Sequence, residues 1–177
     1  MFERYPMGTT PSRVQHARPS LRTTLARAAV CVAVAAPVAL ATAPTASATT
    51  TTDLAKQVVT LVNAERKKAG CGPVRVNLAL TTAARRHSVD MARYNYFSHT
   101  SRDGRSPWQR IRAAGYYYGS AENIAAGQTT AKSIVYAWMH SAGHRKNILT
   151  CSNKAMGVGV ARGGYYGIYW TQDFGRR

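Results

Sequence analysis

The chain has 177 residues, 45% of them hydrophobic, and carries 24 Lys and Arg against 7 Asp and Glu, a formal charge of +17. With only three cysteines, this composition excludes an acidic disordered chain, a membrane-spanning bundle and a disulfide-dense miniprotein. It leaves a basic domain drawn to anionic polymers, or a nucleic-acid binder.

Residues 1–27 hold Arg4, Arg13, Arg18, Arg22 and Arg27 with one acid, Glu3, and an apolar run from Ala28 to Leu40 follows, interrupted by Pro37. The run is too short to cross ~30 Å of hydrocarbon as a helix. Ala46-Ser47-Ala48 then offers small residues for cleavage, whereas the rival Ala41-Thr42-Ala43 is followed by Pro44. A basic region, a short apolar core and such a site predict a secretory signal peptide over residues 1–48. The alternative is a basic tail beside a core helix. No Arg-Arg pair precedes the apolar core, and Cys31 opens it instead of closing it, which argues against a twin-arginine route and a lipid anchor. The expected product is secreted and extracellular, with a short linker at 49–53, a domain at 54–177 and no transmembrane segment after cleavage. It keeps 19 basic and 6 acidic residues, a net +13. Cys71 and Cys151 remain as a pair, which outside the cytosol is most economically a disulfide, with reactive thiols as the alternative. Closing a loop of about 80 residues would stabilise the fold by roughly 4–5 kcal/mol.

Asp53 can cap a first helix whose apolar residues Leu54, Val58, Leu61, Val62 and Ala69 follow a 3.6 period, and Gly70 ends it. Asn77 can cap a second, with Leu80, Ala84, His87 and Met91 on one stripe. Ser106-Pro107 opens a third and Gly115 closes it, proline being favoured in a first turn. Thr130 caps a fourth through Ile134, Val135 and Trp138, broken at Ala142-Gly143, and a helical turn runs from His144 to Leu149. Met156, Val158 and Val160 then alternate with Gly157, Gly159 and Ala161, Gly163-Gly164 can turn the chain, and Tyr165 to Phe174 is aromatic. That pattern is a β-hairpin. Helices followed by a hairpin predict an α+β domain.

The residues able to carry chemistry are polar ones in apolar or Gly-rich surroundings: His99 in FSHT, Glu122 and Asn123 in AENIAAG, and His144 in GHRKNIL. A carboxylate among small apolar residues needs a partner if buried, and the imidazoles are the donors at hand. Two imidazoles and a carboxylate could hold Zn²⁺ with a position left for water. Separations of 23 and 22 residues match no local ligand motif, so a hydrogen-bonded cleft competes with a metal site. His87 reads as a core or cleft-wall histidine, and His140 as a ligand only if the helix continues past Gly143. Trp108, Trp138 and Trp170 read as core, and the Tyr116–Tyr118 and Tyr165–Tyr166 runs as partly solvated. Ser98, Ser101 and Ser141 lack an Asp-His pairing that would make a serine hydrolase.

FSHT, DGRSPWQRIRAAGY, AENIAAG, WMHSAGHRKNIL, GVGVA and YWTQDFG occur in one order. Together they resemble the CAP superfamily of cysteine-rich secretory proteins, antigen 5 and pathogenesis-related 1, in particular its secreted bacterial SCP-like members, from about Leu54 to Gly175. The resemblance implies an α-β-α sandwich, a small antiparallel sheet between helical layers. It implies a central cleft with two His and two acids that in some members binds a divalent metal. His99, Glu122 and His144 match the first His, the first acid and the second His. The second acid is missing: no Asp or Glu lies between Glu122 and Asp173, and Ser141 stands near its place. The expected cleft is therefore lined by His99, Glu122, Asn123, Ser141 and His144, with His99, Glu122 and His144 as the metal set.

The function expected is a monomeric cationic binding module that holds a metal or a small ligand such as a lipid and is attracted to anionic envelope polymers. A hydrolase of a peptide or cell-wall polymer, using metal-bound water or His99 and Glu122, is the alternative. A secreted nuclease is a weaker third reading, suggested by the charge with His144 and Asn147. It would want more metal-binding carboxylates than this cleft offers, so no specific nucleic-acid partner is expected.

Overall fold

A computed structural model describes residues 49–177; the expected signal peptide at 1–48 lies outside them. Helix α1 spans Thr51–Lys68. Its cap is Thr50, whose hydroxyl accepts from the Asp53 N–H. Asp53 sits inside the first turn, where its charge suits the positive helix end. The expected linker at 49–53 therefore shrinks to two residues. After the two-residue strand β1, Arg75–Val76, Asn77 caps α2 (Leu78–Tyr94) by accepting from Ala79 and Leu80 N–H. Ser106 and Gln109 form a capping box on α3 (Pro107–Ala113).

Strand β2 covers Gly119–Ala126. Helix α4 follows at Ala131–Met139 with its cap at Thr130, and α5 at Ala142–Leu149. Ser141 is the break between them, so α5 is longer than the turn expected from His144. Strands β3 (Ala155–Arg162) and β4 (Ile168–Gly175) form the hairpin.

The sheet order is β1-β3-β4-β2, antiparallel except where β1 runs parallel to β3. A mixed four-stranded sheet thus stands where a small antiparallel one was expected. Side-chain alternation sends Met156, Val158, Val160, Trp170 and Phe174 into one core with Val58, Val62, Ile134 and Trp138 of α1 and α4. The opposite face packs on α2, and the domain is an α-β-α sandwich. Gly157 and Gly159 allow that approach: a Cβ on Gly157 would lie 2.1 Å from the Leu80 carbonyl carbon, and one on Gly159 2.2 Å from that of Ala84. Trp138 and Trp170 are core, as expected, but Trp108 is 46% exposed.

Cys71 and Cys151 are bonded, with their Cα atoms 4.9 Å apart. Beside the bridge, the Arg66 guanidinium is completely buried. It donates to the carbonyls of Gly72 (3.0 Å), Ile148 (2.7 Å), Thr150 (3.0 Å) and Asn153 (2.9 Å). A planar fork of donors meets converging carbonyl dipoles, so the loops around the disulfide are fixed without a counter-ion. Among the described residues no helix is long and apolar enough to cross a membrane.

Candidate functional site

Strand β2 positions the site because its adjacent residues point to opposite faces of the sheet. Glu122 faces the α2–α3 side. Its Oε1 lies 2.7 Å from His99 Nδ1, and its Oε2 accepts from Arg110 Nη2 at 2.5 Å. Arg110, on α3, is 7% exposed, and it also donates to His99 O (2.7 Å), Arg105 O (3.0 Å) and Ser101 Oγ (3.1 Å). The His99 loop is thereby tied to α3 and to the carboxylate at once. Glu122 was expected to depend on imidazole. Its buried partner is Arg110, a residue that sequence reasoning passed over.

Asn123 faces the other way and is fully buried. It donates to His144 O (3.2 Å) and Gln172 Oε1 (2.9 Å), and accepts from Asn147 Nδ2 (2.8 Å). Asn147 also donates to Glu122 O at 3.3 Å. The β2 edge thus carries α5, and with it His144, beside the His99–Glu122 pair. His144 lines a groove of about 360 Å³ together with Ser141, Phe97, Ile124 and Tyr166. Ser141 caps α5 by backbone alone. His140 is not part of this cluster; it stacks on Tyr136 at 3.9 Å between ring centres.

A buried carboxyl lies opposite Glu122 on a different strand. Register pairs Glu122 with Asp173 of β4, and Asp173 is buried with Oδ1 lacking a hydrogen-bond partner. Burial, then the neighbouring Glu122 charge, raises the Asp173 pKa well above the ordinary carboxyl value, so it is neutral where Glu122 is ionised. For Glu122 burial also acts upward, but the His99 hydrogen bond and the Arg110 charge outweigh it and hold its pKa low. Two carboxyls on facing strands are thereby pushed apart in protonation state.

His144 is lowered by burial and then by the charge of His99, which favours a neutral imidazole near pH 7. His87 is a buried wall residue, as expected. Its Nε2 lies 2.9 Å from Ser98 O, and burial followed by the Arg110 charge lowers its pKa.

Among the described residues no group of three or more His, Cys, Asp or Glu is arranged to hold a metal ion. Both Glu122 oxygens are already engaged, so the carboxylate fits as an orienting partner of His99, not as a ligand. The donors left are the second nitrogen of His99, whose side chain is 52% exposed, and the His144 ring. Nearby hydroxyls are committed elsewhere. Ser101 Oγ accepts from Arg110, and Ser98 Oγ from the Thr100 N–H.

Residues 59–174 match the model of the cysteine-rich secretory protein family. The chain is 45% identical over 120 residues to the uncharacterized protein YkwD of Bacillus subtilis, covering 67% of this chain and 46% of that protein. It is 33% identical over 142 residues to the uncharacterized membrane protein YlbC of the same organism, covering 80% and 39%. The chain thus spans less than half the length of these two curated relatives. Among solved structures, an extracellular SCP-domain protein of Bacillus anthracis superposes with TM-score 0.64 at 30% identity, covering 71% of this chain and 41% of that one. An outer surface protein of Borrelia burgdorferi gives TM-score 0.65 at 20% identity, covering 72% and 96%, a likeness of fold.

Proposed function

The chain belongs to the cysteine-rich secretory protein (CAP) family, and from that premise we propose that it works outside the cell as a cationic binding module. Its cleft takes a divalent metal or a small ligand such as a lipid at His99 and His144. The observation that carries this reading is the Arg110–Glu122–His99 chain, which holds a half-exposed imidazole by Nδ1, near enough to His144 for its charge to lower the pKa of that ring. Two imidazoles, one of them oriented by a carboxylate, suit Zn²⁺. With only two protein donors, water or a ligand group would complete the coordination and affinity would be weak. The extracellular setting is supported by the disulfide and by the SCP-domain relative described as extracellular.

Equilibrium dialysis against Zn²⁺ tests the cleft. His99→Ala and His144→Ala should each remove most uptake, while Glu122→Gln should weaken it by about 10–100-fold. Uptake should rise with pH as His144, whose pKa burial holds below the ordinary imidazole value, gives up its proton. Undiminished zinc in the double His variant would sink the metal reading.

The net +13 of residues 49–177 supports a second element, attraction to anionic envelope polymers that weakens steeply with salt. Retention on wall material that ignores added salt would oppose it. Hydrolysis of a peptide or cell-wall polymer is favoured by one feature only: an ionised Glu122 behind His99 makes a general-base pair. Turnover of such a substrate that vanishes in His99→Ala would establish it over the binding module.

A further inference from the structure

Away from the cleft, a pocket of about 580 Å³ opens where β1, the start of β3 and the segment after β4 meet. Among the described residues that line it, Arg75, Lys154 and Arg177 carry cationic side chains, Asn77 and Val76 join them, and none carries a carboxylate side chain. Backbone bonds strap these segments together: Arg75 N–H to Lys154 O (2.9 Å), Asn77 N–H to Met156 O (3.0 Å) and Lys154 N–H to Gly175 O (2.8 Å). These bonds fix the backbone from which the cationic side chains project. Lys154 Nζ donates to Cys151 O, and the Arg177 guanidinium lies 4.1 Å over the Tyr118 ring while donating to its hydroxyl. The Arg177 main-chain oxygen is held by Tyr116 Oη. Among the described residues none of the three cations has a carboxylate side chain within ion-pair reach. Asn77 Oδ1 is spent on capping α2, which leaves its amide N–H groups to donate. Like charges clustered around one concavity favour entry of an anion.

We propose that this pocket is a receiving site for a phosphate-class anion. Guanidinium forks and an ammonium match phosphate oxygens as charge-assisted donors, and the concavity suits a compact multivalent group. The phosphate can come from a soluble or polymeric source, or from a lipid headgroup. This inference rests on the attraction to anionic envelope material proposed above, to which it gives a location; it is independent of the His99–His144 cleft.

The probes are inorganic tripolyphosphate and vesicles of phosphatidylglycerol, with phosphatidylcholine vesicles as the neutral control. Arg75→Glu/Lys154→Glu is compared with Lys56→Glu/Lys132→Glu, which makes the same change in net charge on α1 and α4. The pocket variant should lose at least about tenfold in tripolyphosphate affinity while the control pair changes less than about threefold. Thermal melting checks that both fold, and Lys154→Gln, a gentler change, should show a partial loss. Pocket-dependent binding of tripolyphosphate points to a soluble or polymeric phosphate. Pocket-dependent binding of phosphatidylglycerol vesicles alone points to a headgroup. Equal losses in the two double variants would leave the diffuse attraction standing and overturn the pocket. Absence of binding to either probe by the parent protein would overturn both.

Discussion

Replacing Arg110 by Met tests the reasoning about the cleft most directly. The guanidinium is 7% exposed and makes four hydrogen bonds, one of them to the buried Glu122 carboxylate. Methionine fills much of the space but leaves Glu122 with His99 alone, and His99 is half exposed. Removing one partner of a buried ion pair costs about 3–5 kcal/mol, because the remaining charge is desolvated without compensation. Two of the three abandoned acceptors, His99 O and Arg105 O, are only part-buried, so the lower half of that range is expected. Against a domain stability of about 5–15 kcal/mol the variant should fold but be marginal. In urea, with the disulfide intact, its midpoint should fall by about 2 M at unchanged slope. Arg110→Lys keeps the charge without the fork and should lose about 1–2 kcal/mol. Arg110→Met/Glu122→Leu removes both charges and should recover much of the loss. A cost below about 0.5 kcal/mol for Arg110→Met, or a double variant whose cost is the sum of its singles, would refute the coupling.

Three more outcomes follow from the packing and the titration. Gly157→Ala drives a Cβ to 2.1 Å from α2 backbone atoms that cannot swing away, so a loss of about 3 kcal/mol or failure to fold is expected by urea titration, and a neutral effect would contradict the close approach. Cys71→Ala/Cys151→Ala reopens a loop with a sequence separation of 80 and should cost about 4 kcal/mol, less any share that the Arg66 bonds retain; thermal denaturation under non-reducing conditions measures it. Asp173 has a raised folded pKa, so it binds a proton in the folded chain at pH values where the unfolded chain has released it, and its contribution to stability falls as pH climbs above the ordinary carboxyl range. Asp173→Asn removes that burden and should be more stable than the parent near pH 7, with the gap closing toward pH 3; a variant destabilised at pH 7 would contradict a neutral Asp173.

The helix starts at Asn77, Ser106 and Thr130 were legible in the sequence because capping is a contact within three residues, and so were the hairpin and the buried His87 stripe. The Cys71–Cys151 bond was legible from a count. Strand β2 was not. In AENIAAG a charge and small residues hide the alternation, and the segment is a strand because β4 offers it a partner. Arg110 read as one more cation of a basic helix, and only the return of β2 beside α3 turned it into the clamp on Glu122. The helix before His144 carries no acid, as the sequence already said. What tertiary structure adds is a buried carboxyl opposite Glu122: Asp173, 51 residues later in the chain, through the β2–β4 register. Local signals fix where elements begin and which face is apolar, since the atoms involved are near in the chain. The charges that meet in the interior are decided by strand register and layer packing, which no local window contains.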